Sequence, residues 1–396
     1  MYDFSHKKDS METMEYRTIG KTGIKASVIG LGSEGIARIS AEETERVIDF
    51  ALDNGINIMD CCMPGLEVQN HINRALRGKR GKMLIQGHIG SSATDGQYDV
   101  SRDITVCKRN FEELLKGLGT DYIDFGMFFF VDTDNDFSLC FEDELLRYVL
   151  DLKEAGIIRA IGASCHNSEI AGRIAATGIV DLIMFSVNPV FDMTPVNSDI
   201  YELLDDAKLK ENFRLEIEPG RARFYQICEQ RQVSITVMKT LLAGKLLSPE
   251  FSPLGNAMSV SQCIHYALNR PAVASVLLGS KSEGEIKDAL SYFDKSETEL
   301  DYSEFIKDFK GSSKGGCLYC NHCQPCPQGI DIAAVTRYAD IAALNRSDIP
   351  PTVQQHYRSL SSHGQDCVSC GSCEEKCPFG IPVIANMKKA AALFGV

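Results

Sequence analysis

The stretch AEETERVIDFALDNGINIMD, residues 41–60, contains the unit from which most of the chain is built. Its first part spaces apolar residues at helical intervals, follows Ser40 as an N-cap and closes on Gly55, as a helix C-terminus does. INIMD (56–60) is then an apolar run of strand length that ends on an acid. Runs of the same kind stand at SVIGLG (27–32), KMLIQG (82–87), YIDFGMFF (122–129), IRAIGAS (158–164), VDLIMFSV (180–187), SITVMK (234–239) and VASVLLG (273–279). Helical patterns such as SRDITVCKRNFEELLKGLG (101–119) lie between them. Eight such units in about 260 residues fit a closed parallel (β/α)8 barrel of TIM type better than an open sheet.

YRTIGKTGIKAS (16–27) reads as a hairpin around Lys21–Gly23 that closes the bottom of the barrel. Residues 89–101 and 189–223 are long loops on the face where barrel sites sit. KSETELDYSEFIKDFKGSSKGG (295–316) reads as a helix followed by a short linker. The expected organisation is an N-terminal tail at 1–15, a barrel at 16–300, and a linker helix with a cysteine-rich domain at 301–396.

A formal net charge of −13 without a long basic run argues against nucleic acid or an anionic membrane as the main partner. MYDFSHKKDSMETMEYR lacks the apolar run of a signal peptide, and no window reaches the ~20 apolar residues of a membrane span. A cytoplasmic location is expected. Of the fifteen cysteines, seven are scattered before residue 317 and eight fall in the last 80 residues. In a reducing compartment such clusters bind metal more often than they form disulfides.

CVSCGSCEEKCPFG (367–380) is the C-x2-C-x2-C-x3-C-P run of two-cluster ferredoxins, and CLYCNHCQPCP (317–327) has one residue fewer before its last cysteine. Three cysteines of a run grip one cubane and the fourth crosses to the other. This assigns Cys317, Cys320, Cys323 and Cys377 to one [4Fe-4S] cluster, and Cys367, Cys370, Cys373 and Cys326 to the second. Two zinc knuckles are the competing reading, disfavoured by four-cysteine runs closed with Cys-Pro. His322, inside the first run, tunes or shields a cluster rather than ligating it.

GINIMD, KMLIQG, LGTDYIDFGMF, LKEAGIIRAIGAS, VMKTLLAGKLLS and VLLGSKSEGEIKDAL, in this order, resemble the aldo-keto reductases. The whole chain resembles their predicted-oxidoreductase branch, which adds a C-terminal ferredoxin-like domain with two [4Fe-4S] clusters. The resemblance implies a catalytic tetrad of Asp, Tyr, Lys and His. Asp60 matches the acid, but the other positions hold Gly65, His88 and Phe129. The nicotinamide-stacking tyrosine corresponds to Val187, and the carboxamide-binding Ser-Asn pair to Ser164-Cys165. Hydride reduction of a ketone by NADPH is therefore in doubt.

Asp60, His88, Asp132, His166, Asn188 and Lys239 all fall at or just beyond strand C-termini, where barrel chemistry sits. His88 and His166 are the expected proton-transfer groups, with Tyr98 as a substitute phenol. Ser164, Asn188, Lys239, Gly279, Ser280 and Lys281 are the expected cofactor-binding residues, the last three before a helix N-terminus suited to phosphate. Cys61 and Cys62 point to opposite faces of a strand and read as buried apolar filler. One-electron clusters and missing nicotinamide contacts favour FMN over NADP(H). The leading expectation is an iron–sulfur oxidoreductase passing electrons between a ferredoxin-like partner, a flavin and a small organic substrate. An NAD(P)H-dependent carbonyl reductase with accessory clusters is the alternative, and a non-catalytic redox-sensing or electron-carrier protein the third reading. Oligomeric state is left open.

Overall fold

The computed structural model describes residues 14–94, 97–194, 213, 217–253, 255–307, 316–344, 346–347 and 349–396. β1 (Tyr16–Thr18) and β2 (Lys25–Ser27) pair antiparallel as the expected hairpin. The eight apolar runs become β3 (Ile29–Gly32), β4 (Ile58–Cys61), β5 (Leu84–Ile89), β8 (Ile123–Phe128), β9 (Ile158–Cys165), β10 (Leu182–Ser186), β11 (Ser234–Met238) and β12 (Val273–Leu278). They form one closed barrel in which β12 pairs parallel with β3, Val276 opposite Ile29 and Leu278 opposite Leu31.

Side chains alternate between the two faces of each strand. Phe125 and Met127 of β8, with Leu182 and Met184 of β10, pack with Ile58, Ala160 and Leu277 as an inner core. Their neighbours Phe128, Ile183 and Phe185 join the larger core between strands and helices. Ile19 and Ala26 of the hairpin complete the inner core from below. There Gly20 donates its N–H to Ser234 Oγ at 2.8 Å. Its φ of +49° and its collision-free approach to the Asp181 carbonyl both require glycine. The helix Ala41–Asp53 starts on Ser40 in a capping box with Glu43, as the sequence indicates.

Two local expectations change. The loop after β5 is a second hairpin, β6 (Ser91–Thr94) with β7 (Gln97–Val100). The helix expected from 295 is broken into Glu297–Leu300 and Ser303–Lys307. Asp301 sits at the break, accepting from the Ser303 N–H at 2.8 Å and from His322 Nδ1 at 2.5 Å. The linker at 308–315, and 195–212 with 214–216 of the second long loop, lie outside the described residues.

The tail builds its own small core from the helices Ile332–Leu344, Pro351–Arg358 and Val383–Phe394, with Tyr357 stacked on Phe394. Leu318 and Cys320 of the first cysteine run instead bury with Tyr302 and Phe305 in the barrel's core. Arg337 donates to the Asn269 carbonyl at 3.0 Å across the same junction. Among the described residues no helix is long and apolar enough to cross a membrane.

Gly35, in the short helix Ser33–Ile36 after β3, presses against the loop after β12. A Cβ there would collide with the Gly279 carbonyl oxygen and lie 2.9 Å from that of Ser280, both backbone atoms. Gly35→Ala should destabilise the barrel by about 1–3 kcal/mol, the usual cost of overpacking. Urea unfolding measures it, and an unchanged midpoint would show that this loop yields freely.

Candidate functional site

Asp60 lies two residues beyond the inward-facing Ile58 on β4, so its carboxylate reaches the interior at the C-terminal rim. Gln86 and His88 reach the same place from β5. Asp60 Oδ1 lies 2.7 Å from His88 Nε2 and accepts from Gln86 Nε2 at 2.9 Å. All three side chains are buried. Asp60 Oδ2 and His88 Nδ1 are also buried and have no hydrogen-bond partner among the described residues. Gln86 escaped the sequence reading, although its position two residues before His88 places both on one strand face.

A second acid–imidazole pair stands at the ends of β8 and β9, the next two strands around the barrel from β5. Asp132 Oδ1 accepts the His166 backbone N–H at 2.6 Å, and Oδ2 lies 2.8 Å from His166 Nδ1. An ionised carboxylate only accepts, so Nδ1 carries the proton and Nε2 presents its lone pair. That lone pair faces Lys239 Nζ at 3.1 Å. Burial pushes His166 below the ordinary imidazole value, and the Lys239 charge adds to this against the hydrogen bond to Asp132. Asp132 lies below the ordinary carboxylate value: burial opposes this, but the hydrogen bonds and charge of His166 outweigh it. Burial also lowers Lys239, against the attraction of Glu34, Asp132 and Cys62. Phe129 meets His88 edge-on with ring centroids 5.2 Å apart, and Phe130 packs on His166 at 4.7 Å. With Phe129 and Phe130 6.0 Å apart, these rings run in continuous contact from His88 to His166.

Other expected residues have structural duties. Asn188 caps the turn Pro189–Asp192, accepting from the Phe191 N–H at 2.9 Å and donating to the Lys239 carbonyl at 3.0 Å. It therefore holds Lys239, whose backbone is left-handed at φ +60°. The signal was in the sequence, since Asn before Pro is a common helix start. Ser164 Oγ accepts the Phe130 N–H at 2.8 Å. Gly279, Ser280 and Lys281 follow β12 as expected, but the Lys281 N–H donates to Glu285 Oε2 at 2.8 Å, and Glu283 shares the first turn of the helix Glu283–Leu290. The phosphate position thus faces the chain's own carboxylates. Backbone pairing sets Tyr98 opposite Ala93, and its side chain lies outside the described residues.

Cys61 is buried in the outer core, where burial drives its thiol far up, in keeping with the filler reading. Cys62 faces Ser33 Oγ at 3.7 Å. Both border a pocket of about 240 Å³ shared with Gly65, His88, Ser91 and Arg109. Gly65 is exposed, and a Cβ on it would meet nothing within 4 Å.

The tail cysteines converge in two groups that meet at Cys323. Cys323, Cys326, Cys367, Cys370 and Cys373 line one small pocket. Cys317, Cys320, Cys323 and Cys377 lie close enough that Cys377 acts electrostatically on each of the other three. Burial first, and this mutual repulsion in addition, push Cys317 and Cys320 up to about 12. Among the described residues no group of three or more His, Cys, Asp or Glu is arranged to hold a single metal ion. A cubane spreads its thiolates over four corners and asks for a wider setting than one zinc ion does.

Residues 28–210 match the Aldo/keto reductase family. The aldo-keto reductase YhdN of Bacillus subtilis is 30% identical over 166 residues, 39% of this chain and 48% of that protein. The chain thus spans about half the length of this curated relative. An aldo-keto reductase from Bacillus halodurans, solved in a holo form, superposes with a TM-score of 0.57 at 20% identity, over 74% of this chain and 96% of that one. A Pseudomonas aeruginosa protein assigned as an aldo-keto reductase gives 0.54 at 21% identity, over 70% and 93%. At these identities the solved structures speak for the fold alone.

His166 makes stability fall with acid. Below the ordinary imidazole value of 6.5 the unfolded chain takes up a proton that the folded His166 resists. Asp132 acts in the same direction lower down, its contribution present above 3.8 and lost as pH falls below it. The melting temperature should therefore drop between pH 7 and pH 5, and His166→Gln should remove part of that drop. His265, pushed down to about 4 by burial, supplies another part. Thermal melts across this range check the sign, and an identical slope in the variant would refute it.

Proposed function

Starting from an aldo/keto reductase family domain over residues 28–210, we propose that the chain is an oxidoreductase passing electrons between two tail [4Fe-4S] clusters and a small organic substrate at the barrel mouth. The supporting observation is the convergence of the eight tail cysteines into two groups that meet at Cys323, each reaching a cysteine of the other run. Each group supplies a full ligand set for a cubane, and such clusters bring one-electron transfer. Cys370 is exposed while Cys320 is buried against the barrel core. This difference suits a ferredoxin-like partner exchanging electrons at the outer group.

At the mouth, Asp132 fixes His166 as the Nδ1–H tautomer, which leaves Nε2 to accept a proton from Lys239 or from substrate. Asp60 orients His88 beside the open pocket at Gly65. Two acid–imidazole pairs thereby replace the proton-handling part of the family's tetrad.

The organic cofactor divides this reading from its rival, an NAD(P)H-dependent carbonyl reductase with accessory clusters. The family match favours NAD(P)H. The residues fit it poorly: buried Val187 replaces the stacking tyrosine, Ser164 is committed to a backbone N–H, and Glu285 occupies the phosphate position. FMN rests on redox chemistry, since a flavin exchanges one or two electrons. The family match gives it no support.

Protein purified without oxygen should contain about eight irons with matching sulfide. Cys326→Ser should lower the iron by about half, by removing a ligand from the group of the opposite run. Released flavin supports the first reading; titratable NADPH without flavin supports the second. Absence of iron and sulfide would sink both cluster readings.

A further inference from the structure

Arg270 is almost wholly buried at the junction between barrel and tail. Its Nη2 donates to the Leu318 carbonyl at 2.8 Å and to Tyr302 Oη at 3.2 Å, and its Nε donates to the Tyr266 carbonyl at 3.3 Å. The guanidinium lies over the rings of Tyr266 and Tyr319 at 4.3 and 5.0 Å. All these partners are neutral. Nη1 is buried with no hydrogen-bond partner among the described residues. Asp192, a carboxylate that also feels this charge, is already paired with Arg221 at 2.8 Å. A buried cation among neutral groups is costly unless opposite charge comes near. Leu318 lies between Cys317 and Cys320, and Arg270 acts electrostatically on the Cys317 sulfur.

We propose that Arg270 is a positioning residue for electron transfer, whose buried charge stabilises the reduced state of a cluster held by Cys317, Cys320, Cys323 and Cys377 and so raises its reduction potential. The inference rests on the cluster reading above. Four thiolates leave a cubane anionic, and each added electron deepens that charge, so a nearby cation favours the reduced state. Two further contacts belong to the same surroundings. The Tyr319 N–H donates to Cys317 Sγ at 3.4 Å. Asp340, hydrogen-bonded by Tyr319 Oη at 3.2 Å and paired with Lys389 at 3.4 Å, acts on Cys317 with the opposite sign to Arg270.

The test is an EPR-monitored redox titration of the anaerobically purified full chain. Arg270→Gln should move one of the two cluster potentials downward and leave the other in place. Arg270→Lys should largely restore it, and Asp340→Asn should move the same cluster upward. If Arg270→Gln fails to fold, Arg270→Met, which keeps the packing of the stem, takes its place with the same downward shift expected. Potentials unmoved in these variants, or a shift in Arg270→Lys as large as in Arg270→Gln, would overturn the proposal. Wild-type protein with no cluster signal would overturn the cluster reading together with this inference, whereas clusters with unmoved potentials would remove the inference alone.

Discussion

Closure of the parallel barrel is the constraint on which the mouth depends. Because β12 pairs with β3, all eight strands run the same way and every C-terminal end meets one rim. The register then decides which side chains face inward there. Asp60 pairs in register with Gln86, and His88 follows two residues later on the same face. A slip of one residue would turn Cys61 inward and send the acid into the outer core. The hairpin at the bottom supports this register through the bond from Gly20 to Ser234 at the start of β11.

Within that frame the acid–base groups differ from the arrangement that the resemblance implies. The positions expected to hold lysine and histidine carry His88 and Phe129, while a histidine and a lysine meet just beyond β9 and β11 at 166 and 239. Asp132 takes both the backbone N–H and Nδ1 of His166, which fixes ring orientation and tautomer together. Asp60 instead shares one oxygen between His88 and Gln86 and keeps the other unsatisfied in the interior. The first pair is locked, and the second retains unused hydrogen-bonding capacity beside an open pocket. Buried groups with such spare capacity are where a substrate's polar atoms gain most on binding.

The fold was legible because strands of a parallel barrel are buried on both faces and read as continuous apolar runs. All eight runs became strands, with ends shifted by a few residues, as at INIMD against Ile58–Cys61. The site was legible only as a set of strand ends. Pairings such as His166 with Lys239 arise from contacts 73 residues apart that no local pattern encodes. Asn188 was read as a ligand-binding amide and is seen as a cap, because both tasks use the same atoms. The break at Asp301 was hidden for a related reason: its carboxylate is drawn off the helix pattern by His322, which arrives from the cysteine run.

The tail presents a different balance of forces. Its helices supply one small apolar core, and the cysteine runs lie around that core rather than inside regular structure. Burial raises the thiols of Cys317 and Cys320, and thiols that take up metal release their protons. On the proposed reading each cluster takes one cysteine from the other run and would tie together segments some forty residues apart. Small domains with limited cores are commonly stabilised by such cross-links. The docking of Leu318 and Cys320 into the barrel's core joins the tail to the barrel.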